Sequence, residues 1–274
     1  MQVRVNAGGP GVGVLAWTAA PDVTADELAT ALREVGDAAL AADGVHRLEA
    51  TVPADDRLLR RAVLRAGFRL EGVRRAVLPT AEGPADLALF GRLVDDRVGG
   101  AHGFSAVMNS VLPRTRLIAH VVIRAAGDRV LLCETVFKPD WELPGGIVER
   151  VEPPRRAAER ELLEELGVPR PVGRLLVADW MPPYLGWDDA VELLFDGGTI
   201  ADAELVDLVL QPSEIARVRL CTLAEAEALL TPLAHRRLSI ALGLGPDEFA
   251  YLEDGFRPAG SPGGSSSPSG FGRE

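Results

Sequence analysis

Cysteine and aromatic residues are scarce in this sequence, and no apolar run is long. The two cysteines, Cys133 and Cys221, lie far apart within apolar stretches, which favours buried free thiols over a disulfide or a metal site. Apolar runs such as 117–123 are too short to span a bilayer, and the N-terminus lacks a basic region followed by an apolar core. We therefore expect a cytoplasmic protein without a membrane partner.

Basic residues are also fewer than acidic residues. The 274 residues carry 29 Lys and Arg against 40 Asp and Glu, a formal net charge of -11 at pH 7. Because binding to a nucleic-acid backbone depends on Lys and Arg that neutralise phosphates, this balance argues against nucleic acid as a partner. Small phosphorylated substrates stay compatible with it where a bound metal ion supplies the positive charge.

The most informative stretch is 146–168, where a glycine-rich loop leads into a helix dense in carboxylates. Gly146 lets the backbone pass close to a ligand and offer a carbonyl oxygen to a metal ion. Pro153 suits the first turn of a helix and Gly167 suits the position after its end, so the helix is predicted to run from Pro153 to Leu166.

Three glutamates on this predicted helix lie on one face. Glu161, Glu164 and Glu165 are spaced i, i+3 and i+4, so their like charges would repel each other. A hard divalent cation, Mg2+ or Mn2+, explains such a cluster because it takes oxygen ligands and bridges to substrate phosphates. The alternative is a solvated acidic surface helix. If the cluster is a metal site facing solvent, Glu165→Gln should remove a ligand and leave the fold intact.

The spacing of these residues resembles the signature of the Nudix hydrolases. Gly146 is followed after five residues by Glu152, and Glu152 after seven by the run 160–168, R-E-L-L-E-E-L-G-V. The resemblance implies an α/β fold of the Nudix type, an α/β/α sandwich with a mixed sheet, over residues 115–245. It also implies a metal-dependent hydrolase whose small-molecule substrate is a nucleoside diphosphate linked to another group.

The same resemblance implies a role for each of these side chains. Glu161, Glu164 and Glu165 would bind the metal directly or through water, beside the Gly146 carbonyl. Arg160 would orient a glutamate, and Glu161 is a candidate for the base that activates water. Other family members draw that base from a downstream loop, so its identity stays open. The catalytic candidates are therefore Glu161, Arg160 and Glu152.

Candidate substrate contacts follow in the segment 179–189, which concentrates aromatic side chains in a chain with few of them. Trp180 and Tyr184 could stack on a nucleobase, or the aromatic side chains could cover the edge of the sheet. Pro183 and Tyr184 satisfy the spacing of both ADP-ribose pyrophosphatases and dinucleoside polyphosphate hydrolases and do not separate the two.

A further carboxylate would complete the metal site from a downstream loop. Glu214 resembles the glutamate that precedes the last strand in many Nudix proteins. Three other acidic residues compete for this role: Glu192, Glu204 and Asp207.

The N-terminal region, residues 1–95, reads as a separate α/β unit with the order β-α-β-α-β-β. A capping box at Thr24 and Glu27 opens its first helix, with Leu28, Leu32 and Val35 on one face. The runs 44–50 and 67–74 resemble the C-terminal half of GNAT acetyltransferases.

Residues 20–27 depart from the GNAT pattern, because they contain no glycine where that family binds the pyrophosphate of acetyl-CoA. We therefore expect a truncated, inactive GNAT-like unit that serves as a folded appendage or oligomerisation surface, or that keeps a ligand-binding role. His46 is a tempting base there, but an isolated histidine at the start of a strand favours a structural role.

Three further expectations concern the organisation of the chain. Residues 96–114 should form a linker with a short helical piece near 105–110, and the Gly/Ser/Pro-rich segment 255–274 should be disordered. The sequence is compatible with a homodimer. The functions left open are hydrolysis of a pyrophosphate bond, nucleotide-dependent regulation without turnover, and acetyl-CoA-dependent N-acetylation by the N-terminal unit.

Overall fold

The computed structural model describes residues 1–42 and 44–260 and divides into two compact units, Met1–Pro113 and the chain from Arg114 onwards. No helix in the described residues is long and apolar enough to cross a membrane. Both cysteines are buried free thiols, as the sequence predicts.

The N-terminal unit is a five-stranded sheet, in the order β1-β2-β3-β5-β4, with two helices that share one apolar core. The first helix begins at the predicted capping box: the Thr24 hydroxyl accepts the Glu27 N–H, and the Glu27 carboxylate accepts the Thr24 N–H. Leu28 and Leu32 are fully buried on the predicted face. The elements are β1 Gln2–Gly9, β2 Val12–Thr18, α1 Ala25–Leu40, β3 Arg47–Pro53, α2 Arg57–Arg65, β4 Arg69–Thr80, β5 Gly83–Leu93 and α3 Gly100–Val111.

Two elements of this unit differ from the sequence expectation. Strand β1 was not predicted, although it pairs antiparallel with β2. The segment expected to be a linker with a short helical piece near 105–110 contains a longer helix, α3, which packs on β4 and whose Ser110 hydroxyl accepts the Leu70 N–H at 3.0 Å. The glycines of the segment favour a linker, but tertiary contacts stabilise the helix. The resemblance of the unit to acetyltransferases stays a prediction.

The C-terminal unit is built on a seven-stranded mixed sheet in the order β11-β7-β6-β10-β9-β12, with β8 paired to β6. Successive residues of β6 point to opposite faces: Val121 and Ile123 pack with α4, whereas Val122 packs with α5 and α6. This is the predicted α/β/α arrangement. The elements are β6 Arg116–Ala125, β7 Arg129–Thr135, β8 Gly145–Ile147, α4 Pro154–Leu166, β9 Leu175–Met181, β10 Ala190–Thr199, β11 Ile215–Thr222, α5 Leu223–Ala226, α6 Pro232–Leu242 and β12 Ala250–Glu253.

The sheet of this unit continues beyond residue 245, and residues 255 and 256, where disorder is expected to begin, make defined contacts. Strand β12 pairs parallel with β9. Beyond it the Gly255 N–H donates to Asp179 at 3.0 Å, and Arg236 stacks 4.3 Å from the centre of the Phe256 ring. The chain composition suggests disorder here, but these contacts hold residues 255 and 256 in place. Residues 261–274 lie outside the described residues.

Candidate active site

The helix α4 holds the predicted glutamate cluster at the edge of the sheet. Pro154 occupies its first turn, and Gly167 ends it in the left-handed conformation with φ 69°. Four apolar side chains anchor one face of the helix to the sheet and thereby fix its rotation: Ala157, Ala158, Leu162 and Leu166. The glutamates beside this face are consequently held toward the loop that contains β8.

Arg160 bridges three of the predicted carboxylates. Its Nε and Nη2 donate to the two oxygens of Glu152 at 3.0 and 3.1 Å. Its Nη1 donates to Glu161 Oε1 at 2.9 Å and to Glu164 Oε2 at 2.8 Å. Nη2 also reaches the Ile147 carbonyl at 3.2 Å. The guanidinium therefore fixes the orientation of Glu161 relative to the glycine loop, as expected for a residue that orients a glutamate.

Glu161 lies directly against Gly146. A Cβ atom at position 146 would come within 2.7 Å of Glu161 Oε1, so a side chain there would displace the carboxylate. Burial raises the pKa of Glu161, with smaller contributions from the charges of Glu164 and Glu214, although Arg160 opposes the shift. The result is a partly buried, oriented carboxylate that is a stronger base than an exposed glutamate.

Glu165 departs from the expectation of a solvent-facing ligand. Its side chain is only 6% exposed, and its Oε2 accepts the Gly145 N–H at 2.8 Å. Burial raises the pKa of Glu165 to about 7, and the Gly145 hydrogen bond and His120 only partly offset this. The spacing of the glutamates puts Glu165 on the same face as Glu161, but the glycine loop folds over that end of the face and buries it.

The donor set suits a hard divalent cation. Every potential metal ligand near Glu161 is an oxygen, and burial, with a smaller contribution from neighbouring negative charges, raises the pKa of Glu161 and Glu165 above the ordinary glutamate value. A divalent ion would relieve that repulsion. Within residues 1–42 and 44–260, no three His, Cys, Asp or Glu side chains already converge as they would around a bound metal. Arg160 instead takes up two of the carboxylates, Glu161 and Glu164.

The buried Glu165 gives the metal-free protein a distinctive pH dependence. Its pKa is about 7 in the folded state against 4.5 in an ordinary glutamate, so its stabilising contribution is complete below pH 4.5 and lost as pH rises through 7. In a chelator, the free energy of unfolding should fall across this window by at most about 3 kcal/mol on account of Glu165. Glu165→Gln cannot ionise and should remove that part of the fall. Urea titrations from pH 4 to 8 measure it; equal slopes in both proteins would contradict it.

The four downstream carboxylates that compete for the metal site lie in different surroundings in the structure. Glu214 precedes β11, and its charge acts on Glu161. Glu192 is instead buried against His120 and Arg237. Glu204 accepts the Ala201 N–H at the start of a short 3-10 helix, Asp202–Asp207, which also contains Asp207. Of the four candidates, Glu214 is therefore the one whose position supports the predicted role.

The aromatic segment forms a tight turn. Tyr184 and Trp187 pair through backbone hydrogen bonds of 3.1 and 2.9 Å across Leu185 and Gly186. Trp187 stacks under Arg116 at 4.5 Å, and the Trp180 indole N–H donates to Asp189 at 3.3 Å. The contacts of Trp187 and Trp180 favour the structural interpretation for those two rings. Tyr184 is about half exposed.

A buried polar network on the other side of the glycine loop was not predicted as a unit. His120 Nδ1 lies 3.0 Å from Glu192 Oε1, Glu192 pairs with Arg237, and Arg237 Nε donates to Asp179 Oδ2 at 2.8 Å. Burial opposes protonation of His120, but the Glu192 charge and hydrogen bond, together with the charges of Glu142 and Glu165, outweigh it and raise the His120 pKa. The sequence signal is a single polar residue within each apolar strand, L-I-A-H-V-V-I and A-V-E-L-L-F.

Three members of the network, His120, Glu192 and Arg237, line a cavity of about 180 Å³, together with Lys138, Glu142 and Trp141. The cavity adjoins the active site through Gly145, since a Cβ atom there would lie 3.0 Å from the His120 ring and 2.2 Å from the Ala119 carbonyl oxygen. Gly145 thus separates the glutamate cluster from a second polar recess.

A mixed sheet between helical layers, with oriented glutamates at one edge, is the arrangement that the resemblance to Nudix hydrolases implies. Residues 114–242 match the NUDIX domain. The chain is 52% identical over 50 residues to diphosphoinositol polyphosphate phosphohydrolase 2 of Rattus norvegicus, a match that covers 18% of this chain and 28% of that protein. The chain thus matches less than a third of the length of that relative.

Solved structures of this type are similar to the C-terminal unit. A MutT NUDIX hydrolase from Burkholderia pseudomallei is 24% identical, covering 47% of this chain and 97% of that chain with a TM-score of 0.39. A NUDIX hydrolase from Nitrosomonas europaea is 21% identical, covering 52% and 80% with a TM-score of 0.40. Residues 114–242 are thus a NUDIX domain, the domain that these hydrolases share. Enzymes of this type generally use divalent metal ions.

Proposed function

We propose that the chain hydrolyses a pyrophosphate bond in a nucleoside diphosphate derivative, such as an ADP-ribose-like compound, a dinucleoside polyphosphate or a nucleoside triphosphate, with Mg2+ or Mn2+. The observation that carries the proposal is Glu161, a partly buried carboxylate seated on Gly146 and held by Arg160. Such a side chain is positioned before substrate arrives, which lowers the cost of reaching the transition state.

Four groups would hold the metal: the carboxylates of Glu161, Glu164 and Glu165 and the carbonyl oxygen of Gly146. When bound, the ion would neutralise charge on the pyrophosphate and polarise the phosphorus that is attacked. Glu161 would take the proton from the attacking water, since its raised pKa makes it a better proton acceptor than an ordinary glutamate. Glu214 is the alternative base, because it comes from the downstream loop and acts on Glu161.

The recess beyond Gly145 is the proposed location for the part of the substrate attached to the pyrophosphate. Its volume, about 180 Å³, is below that of sites that hold a whole drug-sized ligand, roughly 300–1,000 Å³. It would therefore take one portion of the substrate. Lys138 and the buried Arg237 line it, but Glu142 and Glu192 line it as well and pair with these two cations, so it would favour an uncharged portion with hydrogen-bonding groups.

A substrate panel tests this proposal. It comprises ADP-ribose, a dinucleoside tetraphosphate, a nucleotide sugar, nucleoside triphosphates and, on account of the matched relative, a diphosphoinositol polyphosphate. We expect hydrolysis of at least one compound with Mg2+ or Mn2+, and its loss with a chelator. If nucleotides bind but no compound of the panel is hydrolysed, the result would favour nucleotide-dependent regulation without turnover. If hydrolysis continues in a chelator, the reaction does not require the metal ion.

A further inference from the structure

The N-terminal unit contains a large groove that the proposed hydrolase does not use. Helices α1, α2 and α3 and the residues just before α3 line it, all within Met1–Pro113. Its volume is about 650 Å³, which lies within the range of roughly 300–1,000 Å³ typical of small-molecule sites. The groove is therefore large enough to hold a metabolite.

The groove is strongly basic in a chain of net charge -11. Five arginines and no acidic residue line it: Arg33, Arg57, Arg60, Arg61 and Arg65. Arg57, Arg61 and Arg65 are spaced i, i+4 and i+8 on α2, so their charges lie along one ridge and repel each other. An anion bound in the groove would relieve this repulsion.

Two of these arginines are available to such an anion. Arg65 pairs with Asp26, and Arg33 and Arg60 donate to backbone carbonyls. Arg57 and Arg61 are exposed and make no ion pair or hydrogen bond with the rest of the described chain. Guanidinium groups recognise phosphate oxygens through two parallel hydrogen bonds.

The opposite wall of the groove is apolar. Phe104, Val107 and Met108 of α3 face it, together with Leu64 of α2. Phe104 is 67% exposed, an unusual position for an aromatic side chain that has no ligand to cover it. A ligand with an aromatic or aliphatic body beside its charged groups would bury this wall.

We propose that the groove is a binding site for a small molecule that joins two or more phosphates to an apolar or aromatic body. The phosphates contact Arg57 and Arg61, and the body packs on Phe104. The site differs from the acetyl-CoA pyrophosphate loop of acetyltransferases, because none of residues 20–27 lines it. It also lies in a different unit from the glutamate cluster.

Isothermal titration of the full chain tests the proposal, with ADP as probe and a chelator present to suppress binding at the glutamate cluster. The double variant Arg57→Ala/Arg61→Ala should bind ADP at least about 100-fold more weakly, since each charge-assisted contact contributes about tenfold. Arg75→Ala removes an exposed arginine of the same unit that does not line the groove, and should bind as the wild type does.

Two further variants test the apolar contact and the location of the binding site separately. Phe104→Ala should weaken ADP but not inorganic pyrophosphate, which has no apolar body. Glu161→Gln should bind ADP as the wild type does, so loss in that variant would place the binding at the glutamate cluster and overturn the proposal. Equal binding by the double variant, with melting curves that show it folded, would also overturn it. The proposal would also be overturned if the wild type bound a single-stranded oligonucleotide more tightly than ADP and the double variant lost that oligonucleotide binding.

Discussion

Glu161→Gln is expected to lower kcat by about 10²–10⁴-fold, the range that positioned proton transfer commonly contributes. The substituted side chain would occupy the same volume over Gly146, and its amide oxygen would still accept the 2.9 Å bond from Arg160. It could not accept a proton from water and would be a poorer ligand for a divalent ion. Steady-state kinetics at saturating Mg2+ with the best substrate of the panel measure the loss.

The matched control is Glu159→Gln on the same helix. Glu159 pairs with Arg156, which is 71% exposed, and takes no part in the Arg160 cluster. That variant should keep its rate within about twofold, because neither Glu159 nor Arg156 contacts the glutamate cluster, and it should lose little stability, because an exposed ion pair contributes about 0–1 kcal/mol. If Glu161→Gln kept most of its rate, the base would have to come from elsewhere, and Glu214→Gln would be the variant to examine. A lower melting temperature in Glu161→Gln would instead indicate a structural role.

The parts of this site that could be predicted are local in sequence. The helix α4 follows from Pro154, the C-terminal Gly167 and the glutamate spacing, all within 23 residues of chain. The capping box at Thr24 is another short-range pattern that the structure contains. In both cases hydrogen bonds between residues three or four apart decide the geometry, so the sequence contains the necessary information.

The parts that could not be predicted depend on contacts between distant residues. Burial of Glu165 results from a loop 20 residues earlier that donates the Gly145 N–H. The full length of helix α3 depends on packing, since its Ser110 accepts the Leu70 N–H from a strand 40 residues away. The pairing of Asp179 with Arg237 spans 58 residues. A one-dimensional pattern records which residues are polar, whereas the partner of a buried polar residue is fixed only by the fold.

Loss of Arg237 is expected to destabilise the NUDIX domain more than any other single change at its polar recess. Arg237 is 3% exposed and lies between Asp179, fully buried, and Glu192, 7% exposed. Arg237→Met keeps the apolar volume but leaves two buried carboxylates without their cation. Removing one partner of a buried ion pair costs about 3–5 kcal/mol. Urea denaturation at pH 7, followed by tryptophan fluorescence, measures the difference in the free energy of unfolding.

The cost should depend on pH in a defined direction. Burial alone would raise the pKa of Glu192, but Arg237 and His120 lower it to about 2, so the contribution of Glu192 to stability is lost only as pH falls from 4.5 through 2. In Arg237→Met the carboxylates would protonate at higher pH and relieve their repulsion, so the gap between the two proteins should narrow in acid. Arg236→Met, one residue earlier, removes a stacked arginine that contacts a backbone carbonyl rather than a carboxylate, and should cost no more than about 1 kcal/mol. The prediction would be contradicted if Arg237→Met lowered the free energy of unfolding by no more than Arg236→Met does, or by the same amount at pH 8 and pH 4. Either result would mean that charge interactions do not stabilise the network.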